Sequence, residues 1–259
     1  MLGRRSKERS SKGPQNEWRA DLRRSIRLAL LFRYEQRDPR RFYNALAKDG
    51  VDQLAGYAAL DGAVVLDVGG GPGDATAEYR RRGAHHLLLD RDIEVLRCAP
   101  TAARAVADGV QLPVRSGTVD ICFSSNVLEH VPDPEAFAGE LLRVTRPGGI
   151  VFLSYTNWLS PNGGHETGPV HLLIGGKRAA ERYARRTGRR PLNEFGSNLF
   201  PYSAARMLRW ARKQVAAGKV EVVAQLPRYH PRWARWVIAV PGLREVASWN
   251  VLLVLKRRS

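Results

Sequence analysis

The stretch Val64-Val65-Leu66-Asp67-Val68-Gly69-Gly70-Gly71-Pro72-Gly73-Asp74 decides how the rest of the chain reads. An apolar, β-branched run ends on an acid and then breaks into glycines. That is the pattern of a buried parallel strand entering a tight turn and a helix start. Gly69, Gly71 and Gly73 stand two apart. Without a Cβ, such residues let the backbone bend sharply and lie against a ligand, and the amides that follow face a group held at the helix N-terminus. The spacing excludes two ligand classes. A dinucleotide fingerprint needs G-x-G-x-x-G, and counted from Gly69 the sixth position is Asp74; a P-loop needs Gly-Lys-Ser/Thr, and no lysine occurs here.

Downstream, apolar runs alternate with helical patterns. His85–Asp90, a short run from Arg104, Thr118–Asn126 and Ile150–Thr156 read as strands, while Ala75–Arg82, Ile93–Ala102 and Glu135–Val144 read as helices. Arg146-Pro147-Gly148-Gly149 reads as a helix stop and turn. Strict strand–helix alternation predicts an α/β fold with a doubly wound, mostly parallel sheet and helices on both faces. Ligands bind such sheets at the carboxyl ends of the strands, where Asp67, Asp90, Asp108 and Asn126 all fall. Asp90 lies about twenty residues past the glycines, the offset at which an acid meets a ribose hydroxyl pair. Its alternative reading is an N-cap for the helix beginning near Asp92. His85 and His86 sit early in their strand and read as structural.

These segments together carry a family resemblance. Asp67-x-Gly69-x-Gly71-x-Gly73, the acid at Asp90, Asp108-Gly109 followed by Leu112-Pro113, and Asp120 through Val127-Leu128-Glu129-His130-Val131 resemble, in order, the motifs of class I S-adenosylmethionine-dependent methyltransferases of type 11, the group of quinone-biosynthesis C- and O-methyltransferases. The similarity covers roughly residues 60 to 157. It implies a Rossmann-like, seven-stranded sheet closed by an antiparallel C-terminal strand pair, with S-adenosyl-L-methionine as cofactor. It implies cofactor contacts from Asp67, Gly69, Gly71, Gly73, Asp90, Asp108, Gly109, Ser125 and Asn126, with Asp108 and Val110 toward the adenine. Asp108-Gly109 is also ordinary turn chemistry. His130 stands where it can line the acceptor side, or serve only to order its loop.

Composition bounds the partners. The formal net charge is +17, which points to phosphate-bearing partners (nucleic acid or an anionic membrane surface) or to a solvated arginine-rich surface. No apolar run approaches the roughly 18 residues of a membrane span. Cys98 and Cys122 are the only cysteines, so neither a disulfide framework nor a zinc site has support, no metal is expected, and a cytoplasmic protein is, with surface attachment to a membrane left open.

Four regions follow. Residues 1–15 form a polar, basic tail expected to be disordered. Residues 16–60 form a helical cap, with Trp18, Leu22, Ile26, Leu30 and Leu31 at helical spacing. The cap either packs on the sheet or shapes the acceptor pocket. Residues 61–157 are the cofactor half, and 158–259 carry the acceptor side and the closing hairpin. After the fifth strand, the loop Asn157–Gly168 holds Trp158, a candidate acceptor wall, and His165 and Glu166. His165 is the first candidate base, with Tyr155 and His230 behind it. Arg178, Arg182, Arg185, Arg186 and Arg189 are expected along one helix face. The expected activity is methyl transfer to a small-molecule or lipid-like acceptor. The alternatives are an RNA methyltransferase, against which stands the absence of an Asn/Asp-Pro-Pro-aromatic motif and of a Pro-Cys pair, and a non-catalytic cofactor-binding protein of the same fold.

Overall fold

The computed structural model describes residues 21–31, 34, 37–101 and 103–258. The expected tail over 1–15 and the helical position of Trp18 lie outside them. In chain order the elements are α1 (Leu22–Leu31), α2 (Pro39–Leu54), β1 (Val64–Val68), α3 (Thr76–Arg81), β2 (His85–Asp90), α4 (Ile93–Arg97), β3 (Arg104–Val106), β4 (Val119–Ser125), α5 (Pro134–Val144) and β5 (Thr145–Tyr155). Then follow α6 (Val170–Ile174), α7 (Gly176–Thr187), α8 (Ala204–Ala216), β6 (Val220–Pro227), a 3₁₀ helix over Arg232–Ala239, α9 (Leu243–Ala247) and β7 (Val251–Arg257).

The strands make one seven-stranded sheet in the order β3-β2-β1-β4-β5-β7-β6. β1 pairs in parallel with β2 and β4, and β7 runs antiparallel to both β5 and β6. The order reverses beside β1, which opens a crevice over the carboxyl ends of β1 and β4.

Side chains alternate across the sheet and fill two core layers. Leu66, Val68, Cys122, Val151 and Leu153 face α5 and α8, meeting Phe137, Leu141, Met207 and Trp210. Val65, Ile121, Phe123, Phe152 and Leu252 face the other way, onto Val51, Leu54 and Tyr79. α5 starts where its sequence dictates. The Asp133 side chain accepts hydrogen bonds from the amides of Glu135 and Ala136, and Pro134 needs no partner at the first helical position. Ser203 caps α8 in the same way, accepting from the Arg206 amide.

Two boundaries differ from expectation. Arg146-Pro147-Gly148-Gly149 does not separate α5 from β5: the strand begins at Thr145, opposite Val119, and resumes as Ile150 opposite Ile121. The four intervening residues bulge out of the ladder, a kink that turn chemistry alone does not distinguish from a loop. α7 ends at Gly188, in the left-handed conformation of a helix C-terminus, so Arg189 lies beyond the arginine face.

Candidate active site

The glycine turn is held from below and from the side. Asp67 is 2% exposed beneath it, and the His86 Nε2 stands 3.4 Å from the Asp67 Oδ2. His86 in turn stacks on Tyr79, with ring centroids 4.7 Å apart. Asp90, at the end of β2, accepts the Gly71 amide on Oδ2 and the Asp92 amide on Oδ1, each at 3.0 Å. Asp92, not Asp90, is the N-cap of α4. Gly69 adopts φ +75°, and a Cβ there would stand 2.5 Å from Val127 Cγ2, so only glycine fits. Burial and the nearby Asp67 carboxylate push the Asp74 carboxyl above its usual range, against a smaller opposite pull from Arg40.

Above this turn lies a cavity of about 640 Å³. Of the residues expected to hold a cofactor, Gly69, Asp90, Asp108, Gly109 and Asn126 line it, together with Val110. The Asp108 Oδ1 also accepts the Val110 amide at 3.1 Å, so the turn reading and the cavity position coexist. A Cβ on Gly109 would stand 2.4 Å from Phe137 Cε2, which explains the glycine in that wall. Asp67, Gly71, Gly73 and Ser125 are placed elsewhere. Asp67 and Gly71 brace the turn, and Gly73 gives its amide to the Gly70 carbonyl on the way into α3. Ser125 Oγ accepts from the buried Arg228 Nη1 at 2.6 Å.

The cavity suits S-adenosylmethionine. Three carboxylates (Asp90, Asp108 and Asp133) against one guanidinium (Arg91) line it in a chain of net charge +17, a local reversal that favours a cationic ligand over a phosphorylated one. Leu89, Val106, Val110 and Phe137 supply apolar wall for a flat ring.

A second, smaller cavity of about 150 Å³ adjoins it. Asn126 and His130 line both. Asn126 stands at φ +58°, gives its amide to the Ser154 carbonyl at 2.9 Å and accepts from the Asn250 Nδ2 at 2.6 Å. The remaining wall comes from α2 (Phe42, Tyr43, Leu46), from the loops after β5 and α7 (Asn162, His165, Asn193), and from Tyr229 and Trp249. The helical cap therefore shapes the second cavity as well as covering the sheet.

His165 faces this cavity from a 3₁₀ turn, at φ +47°. Its Nε2 is buried without a hydrogen-bond partner. Burial, reinforced by the imidazoles of His130 and His171, brings its pKa down to about 3, so it is neutral at physiological pH. His130 donates its Nδ1 hydrogen to the Asn198 carbonyl at 2.7 Å. Glu129 is fully buried; its Oε1 accepts the Thr156 amide at 3.0 Å, and its Oε2 has no partner. Burial pushes this carboxyl up, opposed first by His130. Ligating atoms of Glu129, His130 and His165 lie within 4.8 Å of one another, a set that can share a proton or hold a divalent cation. The sequence reading missed Glu129 here, since an acid one residue before His130 gives no sign that it turns inward.

The other candidates fall away from this wall. The Tyr155 hydroxyl is buried in the core, donates to the Ser203 carbonyl at 3.1 Å and is pushed well above its ordinary pKa by burial, so it is not a base. Trp158 packs against His171 and Phe195 and does not line the cavity. Glu166 accepts both its hydrogen bonds from Asn193 Nδ2, at 3.1 and 3.2 Å. His230 lies in a separate groove beside α1.

Comparison with known proteins bears on the family and the fold. A family model described as a methyltransferase domain matches residues 66–153. A Mycobacterium sp. (strain KMS) protein described as an uncharacterized methyltransferase is 51% identical over 248 residues, spanning 92% of this chain and 96% of its own. One from Mycolicibacterium gilvum with the same description is 51% identical over 252 residues, spanning 92% and 96%. Among solved structures, an S-adenosylmethionine-dependent methyltransferase from Mesorhizobium loti has a TM-score of 0.54 at 19% identity, over 78% of this chain and 93% of that one. A TehB-like methyltransferase from Corynebacterium glutamicum has a TM-score of 0.52 at 16% identity, over 90% and 98%. Sharing half its residues with relatives matched along nearly their whole length, the chain belongs to their family of methyltransferases, and its strand order is set in a fold similar to that of S-adenosylmethionine-dependent methyltransferases.

Proposed function

We propose that this protein transfers a methyl group from S-adenosylmethionine, held in the larger cavity, to a small-molecule or lipid-like acceptor held in the smaller one. The observation that carries the reading is the wall shared by the two cavities, Asn126 and His130. A methyl transfer needs two ligands meeting at one point, and this is where they meet.

When bound, S-adenosylmethionine supplies an electrophilic methyl carbon on its sulfonium. The residues that would hold it are Asp90 for the ribose, Asp108, Val110 and Phe137 around the base, and Gly69 with Asn126 toward the methionine end. Asp67, Gly71, Gly73 and Ser125 act by holding those groups in place. Phe42, Leu46, Tyr229 and Trp249 exclude water from the acceptor and fix its orientation. Positioning of this kind supplies up to about 7–11 kcal/mol of barrier lowering. His165 is neutral and unpartnered at Nε2, so it accepts a hydrogen bond from the acceptor's hydroxyl or acidic carbon. Proton transfer to so weak a base is uphill; the Glu129 carboxylate beside it stabilises the cation that would form.

The test is incubation with methyl-labelled cofactor and fractionated cell extract. Label in the small-molecule or organic-extractable fraction is expected. Label confined to RNA would replace this reading, and cofactor binding without label in any fraction would make the protein a non-catalytic binder.

A further inference from the structure

Among the exposed apolar side chains of this basic protein, two sets stand in rows beside arginines. In α1, Leu22, Ile26 and Leu30 form one row at helical spacing, each about half exposed, with Arg23 and Arg27 on the adjacent row. In the 3₁₀ helix over Arg232–Ala239, three residues per turn put Trp233 and Trp236 in one row, 70% and 56% exposed, while Ala234 and Val237 turn inward. Arg232 and Arg235 form the neighbouring row. Beside α1 runs an apolar groove of about 200 Å³, lined by Ser25, Ile26 and Ala29 on one bank and, on the other, by Trp249 and by Tyr229, His230 and Pro231, the segment that leads into the 3₁₀ helix. Tyr229 and Trp249 also line the smaller cavity of the active site.

We infer that this face docks on an anionic lipid bilayer and that the groove is the route by which a membrane-resident acceptor reaches the active site. The second clause rests on the function proposed above; the first does not. Exposed tryptophans beside arginines are what an interfacial surface requires, because the rings settle at headgroup depth while the cations meet lipid phosphates. The charge of +17, with six basic residues in the first twenty positions of the sequence, supplies the complementary attraction. No described helix is long and apolar enough to cross a membrane, so attachment lies on the surface. A nucleic acid would meet the arginines equally well but gives no reason for the exposed Leu22, Ile26 and Leu30 row, which bilayer burial explains.

The experiment uses the full chain with phosphatidylcholine vesicles made with and without phosphatidylglycerol. Sedimentation with the phosphatidylglycerol vesicles is expected, much weaker with phosphatidylcholine alone, together with tryptophan quenching by brominated acyl chains. Replacing Trp233→Ala and Trp236→Ala together lowers the partition roughly a hundredfold, and Arg23→Glu with Arg232→Glu lowers it about tenfold or more. Unchanged affinity for S-adenosylhomocysteine certifies that these variants fold. Absence of sedimentation, or a partition indifferent to the tryptophan pair, overturns the docking surface. So does preference for an RNA oligomer over vesicles that responds to the arginine changes alone. In a second arm, labelled methyl transfer to a lipid extract is compared in vesicles and in nonionic detergent. Loss in the tryptophan variant in vesicles only supports the route. Equal loss in both overturns it, and docking without label in either medium upholds the surface while refuting the lipid acceptor.

Discussion

Gly71 and Asp90 are joined across the mouth of the sheet: the amide at the glycine turn after β1 donates to the carboxylate at the end of β2, at 3.0 Å. One acid thus both fixes the turn and borders the larger cavity. Asp90→Ala is expected to weaken S-adenosylhomocysteine binding by roughly 10- to 150-fold, the worth of a charge-assisted hydrogen bond. Asp90→Asn keeps an acceptor for the Gly71 amide and recovers part of the loss. Calorimetric titration of both variants checks this; equal affinities for wild type and Asp90→Ala would refute it.

Gly69→Ala meets two obstacles, a positive φ and the Val127 methyls. A loss of about 1–3 kcal/mol in denaturant stability is expected. Adding Val127→Ala removes the clash and leaves the backbone cost, so the double variant should regain part of the loss.

His165 folds with its pKa at about 3, far below the ordinary 6.5. Protons therefore favour the unfolded chain, and this histidine's contribution to stability is whole above about pH 6.5 and lost as pH falls toward 3. His171 and His230 are shifted the same way by burial and share the trend. His165→Asn should flatten the fall in stability between about pH 6 and pH 4, by about 1.4 kcal/mol per pH unit at most. In turnover assays with cofactor binding intact, His165→Ala should reduce methyl transfer by about 10²–10⁴-fold if it handles the acceptor proton. An unaltered rate would remove it from the chemistry.

Arg24 and Asp49 tie α1 to α2 through two buried hydrogen bonds, at 2.7 and 2.6 Å. Asp49→Ala leaves a buried guanidinium without its carboxylate and should cost about 3–5 kcal/mol. Arg24→Met with Asp49→Leu should cost much less, because no charge is then stranded. Thermal melts of the three proteins decide between these outcomes.

The fold of the half proposed to hold the cofactor was legible in sequence because local pattern and global fold agree there. Val64–Gly73 could be read as strand and turn from composition alone, and Asp90, Asp108 and Asn126 fall at strand ends by counting. The acceptor side was not legible. Phe42, Asn193, Tyr229 and Trp249 converge from segments far apart in the chain, and nothing periodic links them. Glu129 and Tyr155 show the same limit. Tyr155 ends β5 and reads as a candidate base, while Glu129, in a 3₁₀ turn past β4, does not read as one; whether either side chain turns to the cavity or to the core depends on partners such as Thr156 and the Ser203 carbonyl. The bulge at Arg146–Gly149 was misread because proline and glycine mark bulges and turns alike.

Asn126 is gripped from behind by Asn250, just ahead of β7, while its own surface belongs to both chambers. A ligand that reorients it from one side must alter the free energy of binding on the other, and linkage makes that influence mutual and equal in size. On the proposed function, donor and acceptor would not bind as strangers: a change at this amide on one side would shift the dissociation constant on the other.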